Sequence, residues 1–426
     1  MERRAYPRIG EQVFHTVLEN GLHIYVDQRP EFQKSYAFFA TNYGGMDMKF
    51  HLDGVWQDTP AGVAHFLEHK MFDTEDGNAL QDLAANGASP NAFTSSAITG
   101  YYFESTEKFE ENLKILLSFV SVPYFTQESV DKEQGIIGQE IRMVEDDPDN
   151  QVFFSLMECL YDHHPIQVSI AGTQESISHI TADTLYACHK AFYCPGNMVL
   201  TAAGNVDPEH ICAIAREILP GDPGGSIERD YGGAEPEAAA RPSKELRMEV
   251  STPIFQLGFK ADTAPAGQAR LRQRLLGELA CEALLGNSSP LYARLYGEGL
   301  INNNFSYGFE SYPGCAFLCA GGESQDPEAV RAAVLAEADR LCREGVDEDL
   351  FRRLKKGVYG AKVRGLNSME NTCIELAQGH FAQFDYLEFP EIFDSIEKPD
   401  VEACLRAWVN EARCGLAVVR PKGGAE

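Results

Sequence analysis

The chain has 426 residues, 44% hydrophobic and 23% charged, which is a globular composition and too much chain for one ordinary domain. Its formal net charge of −28 argues against nucleic acid or an anionic membrane as a partner and favours solubility or basic peptides. No apolar run approaches the roughly 18 residues that cross a bilayer, and residues 1–10 lack the apolar stretch of a secretory signal.

From the N-terminus, Phe14 to Val26 reads as a β-hairpin turned at Asn20-Gly21. After a further strand, the apolar run from Ala61 to Phe72 carries His65, Glu68 and His69 in the order H-x-x-E-H. On a helix, His65 and His69 share a face and can reach one metal ion, with the Glu68 carboxylate projecting toward the same ion. Two imidazole ligands and a carboxylate base are the parts that metal-assisted peptide hydrolysis requires. The order inverts H-E-x-x-H, which is the inverzincin motif. Alone, the five residues also fit an amphipathic helix whose histidines only make hydrogen bonds.

Residues 92–104 read as strand and 107–120 as helix. Ser129 to Glu145 reads as a second helix, from the recurrence of Ile137, Ile141 and Val144. Glu133 and Glu140 stand two turns apart on its apolar stripe, where a carboxylate is costly unless paired or metal-bound. They therefore supply a candidate third ligand, whereas Glu145, Asp146 and Asp147 read as solvated.

The segment 220–242 is rich in Gly, Pro, Ala and Glu without an apolar period, and reads as a linker. It divides the chain into domains at 1–222 and 244–426, joined by 223–243. The second half repeats the order of the first. Residues 246–259 are strand-like, 268–285 form a helix without histidine, 305–321 are strands, and 327–343 and 349–362 are helices. Gln134–Glu140 lies over Lys356–Lys362 without gaps and with both glycines matched, so Glu133 falls on Lys355 and Glu140 on Lys362. One half can bind a metal and the other cannot. Strands followed by helices, with hairpin turns, point to an α+β fold: a mainly antiparallel sheet with helices packed on one face, built twice. The cysteines number eleven, scattered and without a C-x-x-C pair, and read as reduced thiols of a cytoplasmic protein.

With H-x-x-E-H, the glutamates two turns apart, Gly87 to Thr94 and Phe192 to Leu200 in view, the chain resembles the insulinase/pitrilysin family of zinc metallopeptidases, in its bacterial two-domain, processing-peptidase-like branch. The resemblance covers nearly the whole chain. It implies two homologous domains facing each other as a clamshell. It implies Zn2+ on His65, His69 and Glu140, with Glu68 as the base and Glu133 as a carboxylate that orients the site. It also implies that the strand around Asn91, Ala92 and Phe93 is an edge to which substrate adds, although an ordinary loop-to-strand junction fits 90–96 equally well.

One family feature is missing. Active single-chain relatives carry an arginine and a tyrosine seven apart in the second half, and here Tyr296 takes the first place and Asn302 or Asn303 the second. Arg294 is close but on another helix face. The reading that follows is a zinc endopeptidase acting on peptides or unfolded segments, as the catalytic subunit of a heterodimer whose paralogous partner supplies the Arg/Tyr pair. The alternative is a non-catalytic structural or peptide-binding subunit.

Overall fold

The computed structural model describes residues 1–423. By contact density the chain divides into two compact units. The first comprises Met1–Ile141, Val168–Tyr231 and Val363–Leu387; the second comprises Arg142–Gln167, Gly232–Lys362 and the chain from Glu388 onward. No helix among the described residues is long and apolar enough to cross a membrane.

The first unit is built on a sheet of β1 (Glu2–Tyr6), β2 (Glu11–Val17), β3 (His23–Gln28), β4 (Ser35–Thr41), β5 (Ser89–Thr94), β6 (Thr99–Ser105) and β7 (Met198–Gly204). Their order is β1-β2-β3-β7-β4-β6-β5, parallel only between β3 and β7. On one face lie α1 (Val63–Met71), α2 (Phe109–Ser121), most of α3 (Gln127–Asp146), α5 (Ala182–Phe192) and α6 (Pro208–Ile218), while α4 (Pro148–Leu160) belongs to the second unit. The core on this face interleaves Ile24, Phe39, Tyr101 and Leu200 of the sheet with Phe66, Leu67, Leu116, Ile137 and Leu185 of the helices.

The second unit contains β8 (Ser243–Met248), β9 (Ile254–Lys260), α7 (Gln268–Leu285), β10 (Ser306–Tyr312), β11 (Cys315–Glu323), α8 (Pro327–Glu344), most of α9 (Glu348–Gly365), α11 (Lys398–Trp408) and β12 (Cys414–Pro421). Its strand order is β8-β12-β9-β11-β10, with β8 and β12 parallel and every other pair antiparallel. This matches β3-β7-β4-β6-β5 strand for strand and direction for direction.

Most helices of the first unit do pack on one face, but the other face is not bare. The helix α10 (Met369–Phe381), from the far end of the chain, packs there against β7 and β4. Its Cys373 and Ala377 meet Phe38, Ala40, Val199 and Ala203. Both strands are buried along their whole length, which requires cover on both faces. Burying Phe38 and Val199 alone is worth roughly 3–6 kcal/mol. The second unit receives α4 in the same way, against β12, β9 and β8. Gly258 of β9 permits that approach, because a Cβ there would stand 2.9 Å from Leu160 Cδ1. The compact units therefore do not follow the contiguous stretches on either side of 223–243. The chain crosses between units inside α3 and again inside α9, and the helix after each crossing covers the other unit's sheet.

The segment read as a linker is held by buried polar contacts. Arg229 Nε lies 2.9 Å from the buried carboxylate of Asp47, to which the Tyr231 hydroxyl also donates at 2.8 Å. Further on, Glu235 accepts the backbone N–H groups of His163 and His164 at 2.5 and 2.7 Å and pairs with Lys260 at 2.9 Å. Polar anchoring leaves no apolar period, so this order was invisible in the sequence.

Candidate metal centre

Helix α1 starts at Gly62, whose φ of 94° is a left-handed conformation that glycine adopts without strain. A Cβ there would meet Ala171 O at 2.6 Å, so glycine also allows the chain to pass closely at the helix start. Val63, Phe66, Leu67 and Met71 turn into the core. That orientation leaves His65 and His69 on the opposite face, their ring centroids 4.6 Å apart. Helix α3 buries Val130, Ile137 and Ile141 and is tied down by Gln134, whose amide donates to Ile177 O and Ile180 O at 3.2 and 3.1 Å. Glu133 and Glu140 on its flank then face α1.

The sequence-nominated groups converge. His65 Nε2 lies 3.5 Å from Glu140 Oε1 and His69 Nε2 lies 3.6 Å from Glu140 Oε2. One donor atom from each of these three residues can be chosen with all separations within 4.8 Å. Donors of a tetrahedral site at about 2.0–2.1 Å from the ion stand roughly 3.3–3.4 Å apart, so the spacing suits a small divalent cation. His69 Nδ1 donates to Glu133 Oε1 at 3.2 Å, which fixes the tautomer that leaves Nε2 free as a ligand. His65 Nδ1 is buried without a hydrogen-bond partner among the described residues. The two imidazoles and one carboxylate fit zinc or a similar borderline metal.

Electrostatics agree. The hydrogen bond from His65 holds Glu140 below the usual carboxylate range against the opposing effect of burial. Burial works against a charged His69, but the hydrogen bond to Glu133 and the carboxylates of Glu68 and Glu140 outweigh it and raise the imidazole above its ordinary value. A cation bound at these groups competes with the proton that the carboxylates favour on His69.

Residues 54–174 match the family described as Insulinase (Peptidase family M16), and residues 179–358 match the one described as Peptidase M16 inactive domain. The chain is 38% identical over 427 aligned residues to a protein of Bacillus subtilis (strain 168) called uncharacterized zinc protease YmfH, covering 98% of both. The chain belongs to the insulinase (M16) family of peptidases. A crystal structure described as an M16-like peptidase from Alicyclobacillus acidocaldarius superposes with a TM-score of 0.93 at 31% identity, covering 96% of this chain and 98% of that one. A peptidase M16 inactive domain from Pseudomonas fluorescens shares the fold, with a TM-score of 0.80 at 17% identity over 97% of this chain and 99% of that one.

The M16 chain holds Glu68 differently from its neighbours. It is buried at 8% exposure, and its Oε2 accepts the Thr94 hydroxyl at 2.7 Å. Thr94 was not nominated from sequence, although strand alternation puts it on the same face as Ala92, two residues earlier. Below lie Tyr101 and Tyr193, fully buried, with hydroxyl oxygens 2.8 Å apart; burial raises both phenols, so both stay protonated.

The nominated substrate residues lie on β5, the last strand of its sheet. Asn91 is exposed, and its Oδ1 accepts the backbone N–H of Ala92 at 2.9 Å. Phe93 points to the face away from the metal cluster and stacks on Phe38 at 5.7 Å between centroids. In the second unit, Tyr296 is 52% exposed, Asn302 donates to Glu323 at 2.7 Å and the Tyr307 hydroxyl donates to Glu282 at 3.1 Å.

Proposed function

We propose that this M16 chain is a zinc-dependent endopeptidase of peptides or unfolded segments, in which His65, His69 and Glu140 hold Zn2+ and Glu68 is the general base. The observation that carries the reading is the convergence of those three ligands beside a buried carboxylate with one oxygen already fixed. Zinc when bound supplies a polarised water and a positive charge for the scissile carbonyl oxygen. Thr94 occupies Glu68 Oε2 and leaves Oε1 free to take the proton of the attacking water and later give it to the leaving amine. Glu133 keeps His69 in the ligating tautomer. The open edge of β5 would hold substrate extended through its backbone, with the Ala92 N–H exchanging the Asn91 side chain for a substrate carbonyl.

We read residues 1–222 as the catalytic module, 244–426 as its non-metal-binding homologue and 223–243 as their connection. Tyr296 with Asn302 or Asn303 in place of an Arg/Tyr pair supports a heterodimer whose paralogous partner supplies that pair. Eleven free cysteines, most of them buried, support a cytoplasmic location.

The test is metal content of the purified chain followed by hydrolysis of a quenched peptide with and without a chelator. Zinc bound at one equivalent, with chelator-sensitive cleavage that Glu68→Gln removes, is the expected result. A zinc-loaded chain that cleaves no peptide, alone or with a paralogue, would overturn it.

A further inference from the structure

We propose that the sheet face turned away from the metal cluster carries a subsite for an ammonium or guanidinium group, presented by a lysine or arginine of the strand that adds to β5. The proposal rests on the reading of β5 as the substrate edge.

Alternation along β5 puts Ala92 and Thr94 on the metal side and Ser89, Asn91 and Phe93 on the other. Register lays Ser89 beside Glu104, and Glu104 beside Tyr36, in one row running inward from the open edge. Ser89 is small and exposed, so a side chain from an added strand passes over it. Glu104 lies one strand in from the edge, roughly 10 Å from such a strand, a span suited to a long side chain.

Beside this row is an open cavity of about 530 Å3, whose lining includes Glu31, Phe32, Tyr36, Glu104, Met369 and Glu370. Tyr36 is 4% exposed, and its hydroxyl is buried with no hydrogen-bond partner among the described residues. Leaving such a group unsatisfied costs folding free energy. Burial raises the phenol most, Cys373 comes next, and Glu370, Tyr102 and Glu104 add to it, so both carboxylates lie within electrostatic range of the hydroxyl. A cationic N–H donor satisfies that oxygen and both carboxylates together. Lys34 already places an ammonium 2.6 Å from Glu104, in a pair 59% and 45% exposed. An exposed pair of this kind contributes little to stability, so an incoming cation displaces Lys34 at small cost. Phe32 and Met369 offer apolar surface to the methylene stem. Since Ser89 precedes Thr94 by five residues, the basic residue should sit about 17 Å along the strand from the bond cleaved.

The experiment uses quenched peptides that carry lysine, arginine, norleucine or glutamate at each position four to six residues from the cleaved bond, on either side. With the zinc-loaded chain, lysine and arginine at one such position should raise kcat/KM about tenfold over norleucine, mainly through KM. The ratio should fall to within about twofold of unity in Tyr36→Phe and in Glu104→Gln/Glu370→Gln. Fluorescence anisotropy of the same peptides on zinc-loaded Glu68→Gln should give the same ratio in Kd. That arm still decides the subsite if the wild-type chain cleaves nothing, alone or with a paralogue, an outcome that would sink the peptidase reading and not the subsite. Should the double variant not fold, Tyr36→Phe and the exposed single change Glu370→Gln carry the comparison. Ratios near unity throughout, or a preference unchanged in the variants, would overturn the proposal. Competition by free butylamine without discrimination between lysine and norleucine peptides would also overturn it, assigning the cavity to a small amine.

Discussion

Lys362 Nζ lies 2.7 Å from Glu278 Oε2, and Glu278 also faces Arg274 one helical turn earlier at 3.4 Å. Lys362 aligns with Glu140, and Arg274 and Glu278 are spaced on α7 as His65 and His69 are on α1. In the second unit an ion-paired cluster thus joins the early and late helices where the first unit joins them through His65, His69 and Glu140. The Lys362 side chain is only 9% exposed. Lys362→Met should therefore leave Glu278 with Arg274 alone and lower unfolding stability by about 1 kcal/mol, read as a fall in the urea midpoint, with metal content unchanged. No loss of stability would show that the pair is dispensable. Lys362→Glu should not create a metal site, because α7 offers no histidine.

At the metal cluster, His65→Ala, His69→Ala and Glu140→Gln should each abolish stoichiometric zinc, measured by atomic emission on dialysed protein. Glu68→Gln should keep the zinc and lose about 10²–10⁴ in turnover. An active Glu68→Gln chain would remove Glu68 as the base.

Thr94→Val should keep the zinc and reduce kcat by about tenfold with little change in KM, because it frees Glu68 to leave the attacking geometry. Thr94→Ser keeps the hydroxyl and should restore most of the rate. An equal loss in both variants would assign Thr94 to packing alone.

The isolated chain should be a slow peptidase, since one missing oxyanion donor costs about 10²–10³ in turnover. Addition of a paralogue bearing the Arg/Tyr pair should raise the rate. Full activity from a verified monomer, insensitive to Tyr296→Ala and Asn303→Ala, would eliminate the need for a partner.

Acid should destabilise the fold through histidines buried in neutral form. Burial lowers His189 from 6.5 to about 4, partly opposed by its bond to Val120 O, and lowers His15 to about 4 with help from Arg4 and His23. Between pH 6.5 and 4 the unfolded chain binds these protons and the folded chain does not, so stability rises with pH across that window. It is complete above 6.5 and falls as the pH drops toward 4. For His189 the loss at pH 5 is on the order of 2 kcal/mol. Urea midpoints at pH 7.5 and 5 should differ less in His189→Phe than in the parent; identical differences would exclude His189 as a source.

The sequence by itself determined which polar groups converge. His65 and His69 on α1 are four apart and the carboxylates on α3 seven apart, and helical periodicity alone turns each set to one face. The repeat was equally legible, because matched glycines and the two substitutions to lysine lie within one local segment. Tertiary structure alone decided what depends on contacts distant in sequence. Thr94 reaches Glu68 from 26 residues away, and Lys362 meets Glu278 from 84. The exchange of α4 and α10 had one sequence trace, the unbroken apolar character of β4, which announces burial on both faces without naming the covering helix. Periodicity records which face of an element is buried; only the folded chain shows what lies against it.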